Sequence, residues 1–123
     1  MSKPWTHLLY RYGNEVGSPT MEQIQVAARE LFHENIPGIS EGDYDEHGAA
    51  SLRYGFDEGP MYELEITRSG FARWQEWADQ DYTQELSPMK ELSARTEQQA
   101  IELWMALSRG NIELVRAAFE DAA

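Results

Sequence analysis

The chain has 123 residues, with 22 acidic and 10 basic side chains, a formal net charge of −12 and no cysteine. This length is typical of one domain with its own core, so we predict a single domain over residues 1–123. The lack of cysteine excludes disulfides, thiolate catalysis and cysteine-ligated zinc. The charge disfavours direct binding to nucleic acid or an anionic membrane and favours either simple solubility or a basic protein partner.

A strand and a helix are the first elements that the pattern predicts. Residues 5–12, "WTHLLYRY", alternate as a half-buried strand does. Ser18 or Thr20 then suits a helix N-cap, and Gln23 completes a capping box with Thr20 ahead of an apolar stripe. Residues 41–48 are acidic and irregular, which indicates a surface loop.

Two strands in the middle third, "ASLRYGF" and "MYELEIT", carry their apolar residues at even positions. Antiparallel partners share a face, so the paired residue numbers must have an even sum. A three-residue loop at 57–59 meets this condition, and it pairs Tyr54 with Tyr62 and Leu52 with Leu64. A two-residue turn would place Tyr54 against a glutamate, and we therefore predict the longer loop.

A third strand follows through a similar loop at residues 68–70, which completes a meander. The register then sets Arg53 opposite Glu63 and Arg73 opposite Glu65 on the outer face. Cross-strand pairs of opposite charge contribute roughly 0.2–1 kcal/mol each. These charge pairs support the register, because the apolar residues alone determine it.

The last third predicts a helical hairpin, because Thr96 and Gln99 repeat the capping-box pattern and two apolar stripes follow on either side of Gly110. The whole pattern predicts an α+β domain. We expect a small antiparallel sheet, a three-stranded meander with a fourth strand at the N-terminus, and three to four helices packed on one face.

The stretch "WADQDYTQEL", residues 77–86, combines aromatic and acidic side chains without a basic one. It is compatible with a solvated loop anchored by its aromatic rings, with a catalytic acid pair, or with a docking patch for a basic partner. We favour the docking patch among the functional readings, since nothing in the sequence supplies a substrate cleft or a raised carboxyl pKa. The residues predicted to contact a partner are Trp77, Asp79, Asp81, Tyr82 and Glu85.

A second acidic segment precedes the meander, and its Asp43, Asp45 and Glu46 are predicted as further partner contacts. If the fold places this segment near residues 79–85, one acidic surface results. The segment also matches the start of an EF-hand loop, but the twelfth position is Tyr54 instead of a bidentate glutamate. We therefore predict no metal site and no cofactor.

Catalytic motifs are missing from the chain. The histidines, at positions 7, 33 and 47, have no metal-ligand spacing, and no serine-nucleophile motif, phosphate-binding loop or dinucleotide fingerprint occurs. We predict that the protein is not an enzyme. No apolar run is long enough for a signal peptide or a membrane helix, which predicts a cytoplasmic protein without membrane contact.

The combination of "MYELEITRSGFARWQEWADQDYTQEL", a capped helix with "ELW" and a terminal "GNIELVRAAF" resembles small acidic immunity proteins of bacterial polymorphic toxin and type VI secretion systems. The resemblance implies a cytoplasmic protein that binds a cognate toxin domain stoichiometrically and neutralises it. Two other hypotheses stay open from the sequence. One is an acidic adaptor or secretion chaperone for a basic protein, and the other is a small carboxylate-dependent hydrolase.

Overall fold

The computed structural model describes residues 4–10, 15–33, 49–56, 59–67, 70–78, 84–92 and 96–120. These residues form a six-stranded antiparallel sheet and three helices, which confirms the predicted α+β class. In chain order the elements are β1 (Trp5–Leu9), β2 (Glu15–Gly17), α1 (Met21–His33), β3 (Ala49–Gly55), β4 (Met61–Thr67), β5 (Ala72–Trp77), β6 (Glu85–Leu92), α2 (Glu97–Ser108) and α3 (Ile112–Glu120). The strand order across the sheet is β2-β1-β3-β4-β5-β6.

The predicted register of the meander is confirmed. Leu52 pairs with Leu64 and Tyr54 with Tyr62, and β4 and β5 continue in the predicted alignment, with Leu64 opposite Trp74. The helices pack on the face that carries these even-numbered residues, which we call the inner face. Residues Leu52, Leu64 and Trp74 are fully buried there.

Both predicted cross-strand charge pairs form on the opposite side of the sheet, which we call the outer face. The Arg53 Nε lies 2.5 Å from Glu63 Oε2, and the Arg73 Nη1 lies 3.5 Å from Glu65 Oε1. The three described helices pack on the inner face.

The sheet is larger than predicted because two edge strands were missed. β2 has only three residues, which is too short for an alternating pattern to be recognised. β6 contains Pro88, which signals a break in a sequence pattern but is tolerated in an edge strand. The pairing of β5 with β6 is also irregular, with register shifts around Glu76. The sequence of β6 therefore lacks the strict alternation of apolar and polar residues by which a strand is recognised.

The helices begin at the predicted residues. In α1 the Gln23 N–H donates to Thr20 Oγ1 at 3.2 Å, and the Thr20 N–H donates to Gln23 Oε1 at 2.8 Å. The corresponding capping box of Thr96 and Gln99 starts α2. Each box satisfies two backbone donors that a helix N-terminus otherwise leaves unpaired.

α2 is the helix that anchors the layer to the sheet. The fully buried Trp104 donates its indole N–H to the carbonyl oxygen of Leu64 at 3.0 Å. α1 runs antiparallel beside α2, since His33 at the end of α1 meets Glu97 at the start of α2, with 2.5 Å between Nε2 and Oε2. Among the described residues, no helix is long and apolar enough to cross a membrane.

Candidate functional site on the outer face

Two of the predicted contact residues, Trp77 and Glu85, face each other directly across β5 and β6. Beyond them the Ala78 N–H donates to the Gln84 carbonyl oxygen at 2.8 Å, which closes the hairpin between the two strands. The predicted contacts Asp79, Asp81 and Tyr82 lie outside the described residues.

Trp77 belongs to a row of outer-face residues that crosses five strands. The pairings run from Trp5 to Gly55, then to Met61, to Trp77 and to Glu85. Gly55 is required here, since a Cβ at this position would lie 2.8 Å from Trp5 Cζ2. The Trp5 ring therefore lies close against the backbone of β3.

Met61 lies in the middle of this row and is only 2% exposed, although the helices pack on the other face. Trp77 remains half-buried beside it. The outer face thus has an apolar end, built from two indole rings and a thioether, next to the two hairpin turns that follow β3 and β5. Aromatic side chains in such a position supply large contact area at low conformational cost.

The rest of the outer face carries Leu9 but is otherwise mainly polar and acidic. His7 Nδ1 lies 2.5 Å from Glu15 Oε1 on the two N-terminal strands, and both side chains are about half exposed. The charged members of this face in the described strands, besides His7, are Glu15, Glu63, Glu65, Glu85, Glu91, Arg53 and Arg73. Five carboxylates against two guanidinium groups give this face a formal charge of −3.

The second predicted acidic contact, formed by Asp43, Asp45 and Glu46, also lies outside the described residues. Its attachment point is Ala49, which pairs with Thr67 at the far end of β3. The segment 79–83 is attached at the Trp77 end. These attachment points are about 20 Å apart along the strand, at about 3.3 Å per residue. Both segments lie outside the described residues, so the single acidic surface stays a prediction.

Trp5, Met61 and the His7–Glu15 pair were not recognised as site residues from the sequence. The sequence contains part of the information. Met61 and Trp77 have odd numbers, and the meander register therefore places them on the same face. The position of Trp5 depends on the pairing of β1 with β3, two strands separated by α1 in the chain. No local pattern encodes that pairing.

On the inner face of the described sheet, the buried carboxylate of Glu76 pairs with the partly exposed Arg116. Glu76 is 4% exposed, and it accepts hydrogen bonds from Arg116 Nη2 at 2.6 Å, from Arg116 Nε at 3.1 Å and from Trp74 Nε1 at 2.8 Å. Burial by itself would raise the pKa of Glu76, but these donors outweigh it and hold the pKa below its ordinary value. Both carboxylate oxygens are engaged, so Glu76 ties α3 to β5.

No group of three or more histidine, aspartate and glutamate side chains in the described ranges could hold a metal ion. Comparisons with protein-family models, with curated proteins and with solved structures each gave no match. The described residues form an acidic α+β domain in which the sheet face opposite the described helices combines an aromatic row with excess carboxylates.

Proposed function

We propose that this chain is a cytoplasmic immunity protein that neutralises a cognate antibacterial toxin by stoichiometric binding. The contact surface is the Trp77 end of the outer face, together with the segment 79–85. The observation that carries the proposal is the pair of partly exposed indole rings, Trp5 and Trp77, in one row with the buried Met61 on an acidic face of the sheet.

The two chemical components of this surface have different roles in binding. The carboxylates attract a basic partner and accelerate its association, an effect that falls with ionic strength. The aromatic row slows dissociation, since buried indole rings provide most of the affinity in many interfaces. A toxin with a basic active-site cleft would offer both the opposite charge and a concave surface.

The first experiment is co-purification of the tagged protein from its native cells, followed by washes of increasing salt and then denaturant. We expect one basic protein encoded beside it to survive the salt and to leave only with denaturant. Expression of that protein alone should be toxic, and co-expression with this chain should restore growth. Tight binding without rescue would favour an adaptor or secretion chaperone, whereas no salt-resistant partner would remove the immunity proposal.

A pair of charge-matched variants tests the surface itself. Asp79→Asn combined with Asp81→Asn removes two charges at the Trp77 end, and we expect at least about tenfold weaker binding. Glu22→Gln combined with Glu120→Gln removes the same charge from the helical layer and should leave the affinity nearly unchanged. Equal losses in both variants would mean that only the net charge matters.

A further inference from the structure

A groove with a volume of about 560 Å³ lies in the helical layer, on the side of the molecule opposite the outer face. Its apolar lining comes from Met21 of α1, Ile101 and Met105 of α2, and Leu114 of α3. The lining extends along α2 from Gln98 to Arg109, a distance of about 16 Å at 1.5 Å per residue. That length matches about three turns of a second helix.

The groove exposes large apolar side chains beside the polar ones of Gln25, Gln98 and Asn111. Met21 is 56% exposed and Leu114 is 47% exposed, although both are large hydrophobic residues. Two long, unbranched methionine side chains, Met21 and Met105, line it. Methionine adapts its shape to a partner surface and is common at binding surfaces of this kind. Burial of these side chains would provide a favourable free energy of association.

Two opposite charges frame the groove and restrict what can occupy it. Glu102 of α2 and Arg109, the C-cap residue of that helix, both line it. They lie seven residues apart, which is about 10 Å along the helix axis. A uniformly acidic occupant would meet Glu102, and a uniformly basic one would meet Arg109. The complementary occupant carries a basic side chain near Glu102 and an acidic side chain near Arg109.

We propose that this groove binds an amphipathic helix of a second protein partner. The helix would place leucine, methionine or phenylalanine side chains at a spacing of three and four residues against Met21, Met105 and Leu114. It would carry a basic and an acidic residue about seven positions apart, opposite Glu102 and Arg109. This site is separate from the proposed toxin-binding surface, so both partners can be bound at once.

The test uses a capped, fluorescein-labelled 15-residue helical peptide with a leucine face and with lysine and glutamate seven positions apart. Fluorescence anisotropy with the full chain measures its affinity. A second peptide carries lysine at both charged positions. We expect the lysine–glutamate peptide to bind more tightly, whereas tighter binding of the doubly basic peptide would show that only the overall negative charge attracts it and would overturn the proposal.

Charge-neutral variants locate the binding. Met21→Gln combined with Leu114→Gln should weaken binding of the lysine–glutamate peptide about tenfold or more. The matched control is Leu86→Gln combined with Met89→Gln, which changes two exposed hydrophobic residues of β6 and should leave the affinity within about twofold. Equal effects of the two variants would overturn the proposal.

Sedimentation velocity of the chain without peptide tests whether a second copy of this chain, and not a partner helix, occupies the groove. We expect a monomer across the concentration range used for the peptide titration. A dimer that dissociates in the Met21→Gln, Leu114→Gln variant would show that a second copy of this chain fills the groove, and the proposed partner helix would then be wrong.

Discussion

Glu76 is buried on the inner face, opposite Tyr62 on the next strand, where an ionised carboxylate ordinarily destabilises the fold. Arg116 offsets this cost with two hydrogen bonds, and Trp74 adds a third. A charge pair with a buried carboxylate contributes little relative to an apolar pair, but removal of the arginine leaves that carboxylate uncompensated. The sensitivity of the fold to substitution should therefore be much greater at Arg116 than at exposed arginines.

We expect Arg116→Met to lower the free energy of unfolding by about 2–3 kcal/mol, since it leaves the Glu76 carboxylate buried without its main donor. Urea unfolding followed by tryptophan fluorescence measures this change. The matched control, Arg73→Met, breaks only the exposed pair with Glu65 and should cost less than about 1 kcal/mol. Similar losses in the two variants would show that the Glu76 pair is no more important than a surface pair.

The lowered pKa of Glu76 also predicts a pH dependence. Because the folded pKa lies below the value of 4.5 expected without the fold, the pair stabilises the protein at neutral pH. This contribution is lost as the pH falls below 4.5 and through the folded pKa. We expect the stability difference between the wild type and Glu76→Gln to shrink between pH 6 and pH 3. A difference that stays constant or grows in acid would contradict the assignment.

At the scale of secondary structure, the junction between α2 and α3 depends on one glycine. The Asn111 N–H donates to the Ala106 carbonyl oxygen and the Gly110 N–H donates to that of Leu107, both at 2.9 Å. This is the pattern of a Schellman C-cap. Gly110 has a φ of 76°, the left-handed conformation that this cap requires. The Tyr54 hydroxyl packs against it from the sheet.

We expect Gly110→Ala to lower the free energy of unfolding by about 2 kcal/mol or more. The left-handed backbone costs alanine about 1–2 kcal/mol, and its Cβ would lie 2.6 Å from the Tyr54 hydroxyl oxygen. In a Tyr54→Phe background the same substitution should cost less, because the closest atom is then missing. Urea unfolding of the four variants in this cycle gives the coupling, and strictly additive costs would exclude the contact.

The elements that the sequence could predict are those with local signals. The two capping boxes, at Thr20 and Thr96, and the parity of the apolar residues in β3 and β4 are each encoded within a few positions. The Glu76–Arg116 pair could not be predicted, because its members are 40 residues apart and meet only when α3 packs on the sheet. The same reason applies to the contribution of Trp5 to the candidate site.

At the scale of the whole molecule, the excess of carboxylates governs the response to salt. A net charge of −12 on a small domain disfavours the compact state through self-repulsion. The few ion pairs on its described surface are exposed and contribute little. Screening should therefore relieve more repulsion than it removes attraction.

We expect the melting temperature at pH 7 to rise by about 2–5 °C when NaCl is increased from 10 to 150 mM, since the Debye length falls from about 30 Å to about 8 Å. Differential scanning calorimetry measures the shift. Near the isoelectric point of about 4.5, where the net charge vanishes, the same addition should have little effect. A lower melting temperature at pH 7 would mean that surface ion pairs outweigh the repulsion.

The row that crosses the sheet from Trp5 to Glu85 combines residues from two separate parts of the chain. Trp5 comes from an N-terminal unit, β1 to α1, whereas Met61 and Trp77 come from the later meander, and residues 34–48 are the single covalent link between the two units. Neither unit contains the complete row. A chain cleaved within that link, or one still emerging from the ribosome, gains the complete row only when its two parts assemble. If the proposed partner binds this row, binding would require that both parts of the chain have folded together.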